Sequence, residues 1–168
     1  QVSHMNAVMN SPALRETYNA NLPRITQYFT ELSQNESLYR KYKALRASTA
    51  FDGLTRAQRK VIDNELRDFR LGGAELPTDK KARFKQVSEQ LAGLSSKFND
   101  NVLDATNAFE LLVDDRSRLA GIPDDVLETA RQSAHDAGRP GWRFSLHMPS
   151  YLPVMQYAGD RSLREQMY

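Results

Sequence analysis

The amino-acid sequence predicts an all-α protein: an antiparallel helical bundle with one long helix. Three observations predict it. Apolar residues recur at spacings of three and four along most of the 168 residues, the period of one helix face. Capping residues, prolines and glycines punctuate those stripes at helix-length intervals. Only the stretch RFSLH, residues 143–147, alternates apolar and polar residues as a short strand does.

The elements follow in order. Val2, Met5 and Met9 share a helix face. Asn10-Ser11-Pro12 is a start signal, a capping residue followed by proline where its missing N–H costs nothing. Leu14, Tyr18, Leu22, Ile25, Phe29 and Leu32 then form one apolar stripe. Pro23 lies inside it and predicts a kink or a break. Asn35 caps a helix whose inner face is Leu38, Tyr42, Leu45 and Thr49. Thr55 and Gln58 have capping-box spacing before Ile62, Leu66 and Phe69, and Gly72-Gly73 closes that helix with a left-handed cap.

The longest stripe runs through Phe84, Val87, Leu91, Leu94, Phe98, Val102, Ala105, Phe109 and Leu112. It predicts a helix over 79–113, about 50 Å long at 1.5 Å per residue. Such a helix needs neighbours over its seam, and the preceding helices are the available cover. Pro123 opens a further helix to about Ala137. The strand at 143–147 finds no second strand in the pattern, so either its partner lies outside this chain or the segment is not a strand. Ser150 is placed as a cap with Pro153 in the first turn, and Asp160 caps the helix of Leu163 and Met167. No linker divides the chain, so residues 1–168 read as a single helical region.

Composition narrows the functions. Lys+Arg number 23 and Asp+Glu 21, a net charge of +2, without the surplus of a dedicated nucleic-acid binder. There is no cysteine, which excludes disulfides, thiolate zinc sites and thiol nucleophiles. No run of 18 apolar residues and no signal-peptide pattern occurs. The absence of cysteine fits a reducing compartment.

The chemistry-bearing residues are few and scattered. His4, His135 and His147 are the three histidines, and none has another at i+4, as a helical zinc site requires. Asp124-Asp125 follows Pro123 in a first turn, where the helix dipole favours negative charge. Asp114-Asp115 lies at a turn, where capping accounts for it. Arg56, Arg59, Lys60, Arg67 and Arg70 could make a phosphate-binding face, but Asp63, Glu65 and Asp68 are interleaved and read as its salt-bridge partners. No G-x-S-x-G, G-x-G-x-x-G or phosphate-binding loop is present. From the residues alone, the expectation is a helical interaction module with no catalytic, cofactor-binding or metal-ligand residue of its own.

Four stretches carry more specific information: NSPALRETYNANLPRITQYFTELSQNESLY, AQRKVIDNELRDFRLGGAELP, FNDNVLDATNAFELLV and PSYLPVMQYAGDRSLREQMY. Together they resemble the amino-terminal part of the oligopeptidase A branch of the thimet-oligopeptidase-like zinc metallopeptidases. The likeness runs through essentially the whole chain. Arg67-Asp68-Phe69 before Gly73 and Leu76-Pro77, then Pro149-Ser150-Tyr151-Leu152-Pro153, is no generic helical pattern. The resemblance implies a cytoplasmic metalloendopeptidase that degrades short peptides, with two helical lobes flanking a deep channel. It implies zinc on a later H-E-x-x-H helix, so zinc belongs to the parent enzyme and not to this chain. The resemblance implies no catalytic or ligand residue among these 168. It implies an amino-terminal lobe that forms channel wall, is inactive in isolation, packs on a catalytic lobe and self-associates when separated from it. The competing expectations are a stand-alone interaction module and, more weakly, a nucleic-acid binder using the Arg59–Arg70 face.

Overall fold

The computed structural model describes all 168 residues. It contains nine α-helices, one 3-10 turn and a two-stranded antiparallel sheet. The residues form two compact units, Gln1–Lys97 and Phe98–Tyr168. The division falls inside one continuous helix, so no change of composition marks it.

The first unit holds α1 (Val2–Val8), α2 (Pro12–Ser33), α3 (Glu36–Arg46), α4 (Thr49–Asp52), α5 (Arg56–Leu71) and the start of α6 (Thr78–Ala108). Local signals set the helix ends as expected. Leu14 N–H donates to Ser11 Oγ at 3.3 Å, and Leu38 N–H to Asn35 Oδ1 at 2.9 Å. Thr55 and Gln58 complete their capping box in both directions. Gly73, at φ 91°, supplies the left-handed residue after α5. Pro23 does not break α2, which continues as one helix of 22 residues. The proline lies on the exposed side of the helix.

The packing of this unit is thin. Tyr39 and Phe69 meet at a ring-centroid distance of 5.6 Å, and with Ala74 they form a small cluster closed by Leu38, Tyr42 and Leu66. α6 runs antiparallel to α2. Lys85 bonds Glu31 at 2.9 Å, Ser96 Oγ donates to Asn19 Oδ1 at 2.7 Å, and Lys81 bonds Glu36 at the start of α3. Partner numbers rise on one helix as they fall on the other. The expected antiparallel neighbour is therefore present, but it does not cover the seam of α6. Leu91 and Leu94 are 63% and 67% exposed, and α6 has no buried residue at all.

The second unit holds the remainder of α6, β1 (Leu111–Val113), α7 (Asp124–Asp136), β2 (Trp142–Phe144), α8 (Met148–Tyr157) and α9 (Arg161–Met167). Three expectations are corrected here. The long helix ends at Ala108, not near 113, and Leu111–Val113 is extended. That segment is the strand partner that the pattern did not supply, with Leu111 opposite Phe144 and Val113 opposite Trp142. An unbroken run of apolar residues satisfies a helix stripe and a short buried strand equally, which is why periodicity misassigned it. α8 also begins earlier than expected, at Met148 after His147, so Ser150 is inside it. Ser150 Oγ instead accepts the Ser145 N–H at 3.0 Å, tying β2 to α8.

Ten buried side chains fill the core of this unit, with Leu119, Phe144, Val154 and Leu163 fully enclosed. Two glycines are required by close approaches. A Cβ on Gly121 (φ 92°) would lie 2.2 Å from the Tyr157 carbonyl oxygen, and one on Gly141 (φ 88°) 2.3 Å from that of Val113.

Candidate functional site

The sequence-level candidates do not converge. His4 lies on α1, His135 near the end of α7 and His147 at the start of α8. No group of three or more His, Asp and Glu side chains is assembled that could hold a metal ion. Asp124 and Asp125 sit in the first turn of α7, and Asp115 accepts the Ser117 N–H at 2.8 Å to cap the 3-10 turn. Asp63, expected to pair within its helix, crosses instead to Arg46 of α3 at 2.8 Å, while Asp68 pairs with Arg67.

Three further charged contacts join groups that the sequence did not bring together. Tyr39 Oη donates to Glu75 Oε1 at 2.6 Å. That bond holds the Glu75 carboxyl below the usual carboxylate range and, with burial, pushes the Tyr39 phenol above its ordinary value. Lys43 stands 3.6 Å from Glu75 and over the Tyr39 ring. Arg143 Nε donates to Glu110 at 2.9 Å, with Arg139 on the other oxygen, and the Glu110 carboxyl is lowered chiefly by the Arg143 bond. Arg118 Nε reaches Asp160 at 3.0 Å and lowers it in the same way. All three join residues far apart in sequence, so no local motif announces them.

A cavity of about 420 Å³ lies between α7, β2 and the start of α8. Ser133, Arg143, His147 and Ser150 line it. Its polar groups are already engaged: Arg143 with Glu110, and Ser150 with the Ser145 amide. The Ser150 amide donates to the His147 carbonyl at 2.9 Å, a backbone bond of the first turn of α8 that leaves the imidazole and the serine hydroxyl out of the contact. An apolar opening of about 760 Å³ runs along α1 and α2, where Leu22, Ile25 and Phe29 contribute. Next to it, the stripes of α2 and α6 leave Phe29, Val87 and Leu91 open to solvent. The chain thus presents apolar helix faces to solvent.

Comparison with known proteins gives these surfaces a context. The family described as Neurolysin/Thimet oligopeptidase, N-terminal domain, matches residues 1–81. Oligopeptidase A of Haemophilus influenzae is 46% identical over 167 residues, covering 99% of this chain and 24% of that protein. Oligopeptidase A of Escherichia coli is 43% identical over 167 residues, with 99% and 25% covered. Probable cytosolic oligopeptidase A of Arabidopsis thaliana is 34% identical over 174 residues, with the same coverage. The chain spans about a quarter of the length of these curated relatives. A helical fold with two short strands, an amino-terminal domain match and identity along nearly every residue agree, and the chain belongs to the oligopeptidase A branch of the neurolysin/thimet oligopeptidase family as an amino-terminal part.

Proposed function

We propose that this chain is the amino-terminal helical lobe of a zinc-dependent oligopeptidase that hydrolyses short peptides in the cytoplasm. The observation that carries the reading is the 46% identity to an oligopeptidase A across 99% of the chain. In this reading the lobe forms part of the wall of the substrate channel. A helical wall beside a narrow channel admits flexible peptides and excludes folded proteins, so access contributes to specificity. The lobe packs on a catalytic lobe, which supplies the zinc ligands and the groups that activate water. The residues present here do not fit a zinc site, since no three ligating side chains converge, and no chemical step is assigned to them. The chain is inactive by itself.

The test uses the 168-residue chain and the product of its complete reading frame. The chain should hydrolyse no fluorogenic peptide and bind no stoichiometric zinc by elemental analysis. The full product should hydrolyse the same peptide and lose that activity to a chelator. Metal-independent hydrolysis by the 168 residues, or a full product without chelator-sensitive activity, would sink the reading. A second reading, a stand-alone interaction module, is favoured by the uncovered apolar stripes of α2 and α6. A reading frame that stops after Tyr168 would select it.

A further inference from the structure

Helix α6 turns its polar face, not its apolar one, toward its neighbour. From Lys85 to Ser96 its least exposed residues are Lys85, Ser88, Glu89, Ala92 and Ser96. The bonds Lys85–Glu31 and Ser96–Asn19 mark that face as the one against α2. Val87, Leu91 and Leu94 lie on the far side of the helix, well over a third of a turn from this seam at 3.6 residues per turn. They are 45%, 63% and 67% exposed, and none of the 31 residues of α6 is buried. An amphipathic helix ordinarily sets its apolar stripe on a core and its polar face in water. Packing of that stripe supplies most of its stability. Within this chain the arrangement is reversed, so the stripe of α6 belongs to a contact the chain does not itself make.

Two observations select what covers it. The first unit, Gln1–Lys97, is the longer of the two, yet its largest buried cluster is Tyr39, Phe69 and Ala74, against ten residues in the second. A unit of this length ordinarily encloses one contiguous core, so the cover it lacks is a standing part of the fold and not an occasional visitor. The chain also accounts for only 24% and 25% of two oligopeptidase A relatives, and the family model it matches is an N-terminal domain. The remainder of such a polypeptide follows this chain and is tethered to it. Tethering holds a segment at an effective concentration on the order of mM, so a free copy at about 1 µM competes for the same face at roughly a thousandfold disadvantage.

We infer that the Val87, Leu91 and Leu94 face of α6 is the docking surface for the part of the parent polypeptide that follows Tyr168, with an apolar element of that segment as its occupant. The inference deepens the reading of this chain as an amino-terminal lobe and rests on it. Thiol labelling tests it. The chain has no cysteine, so Leu91→Cys and Leu94→Cys each add one reporter, followed by alkylation and peptide mapping at that position. In the 168-residue chain both should react as fast as Leu71→Cys, at an exposed position on α5. In the product of the complete reading frame each should react at least about tenfold more slowly, since the thiol is reached only when the contact opens. Leu91→Glu is a second readout. It should lower the Tm of the full product and leave that of the chain unchanged, where the side chain is largely in water. Equal labelling of chain and full product overturns the inference, and so does a full product whose Tm Leu91→Glu leaves unchanged. Labelling of the chain that slows as its concentration rises to about 100 µM overturns it too, by giving the face to a second copy of micromolar affinity. Chelator-sensitive peptide hydrolysis by the full product is scored separately. Activity with unprotected thiols sinks this inference and leaves the peptidase reading standing; protected thiols without activity do the reverse. A reading frame that stops after Tyr168 removes both.

Discussion

The Tyr39–Glu75 hydrogen bond couples two groups that titrate in opposite directions. The Glu75 carboxyl is held low, so its contribution to stability is present above its unfolded value and is lost as pH falls through the lowered folded one. The Tyr39 phenol is held high, so its contribution is present below the ordinary tyrosine value and is lost as pH rises through the raised one. The pair therefore favours the folded unit across the neutral range and fails at both ends. Tyr39→Phe keeps the ring that packs on Phe69 and removes the hydroxyl. Thermal melts should show a lower Tm at pH 7 and a shallower fall above the ordinary tyrosine value. An unchanged alkaline limb would show that the bond does not persist in solution.

Among the elements, equally apolar residues have unequal weight. Phe144 on β2 is fully enclosed and takes its place through the pairing with Leu111. Leu94 on α6 is two-thirds exposed although it sits in the strongest periodic stripe of the chain. Phe144→Ala should cost about 3–5 kcal/mol, the range for emptying a buried aromatic site. Leu94→Ala should change stability by less than about 0.5 kcal/mol, as at an ordinary surface position. Chemical denaturation of the two variants separates the two effects. Similar losses for both would mean that α6 is covered in solution. The helix boundaries at Ser11, Asn35, Thr55 and Asp160 were legible because each rests on a side chain within three residues of the amide it caps. The β1–β2 pairing was not, because Leu111 and Phe144 are brought together only by the intervening turns and α7.

On the scale of the whole molecule, the two units differ in how they are stabilised. The second encloses ten mutually packed buried residues, while the largest buried cluster of the first has three. Protection against amide exchange follows buried packing. The amides of α7 and β2 should exchange slowest, and those of α6 between Val87 and Leu94 far faster, when followed by mass spectrometry at low concentration. Equal protection in both regions would contradict the burial pattern. The all-helical class, most caps and the family resemblance could be read from the sequence by itself, because they depend on local spacing and on residue identity in order. So could the scattering of the histidines, since no pair shares a helix turn. Tertiary structure alone decided where the strand at Trp142–Phe144 pairs, which carboxylates lie beside which cations, and that the stripe of α6 faces solvent. Periodicity specifies that a helix has an apolar face. It does not specify what that face meets, which depends on residues distant in the chain.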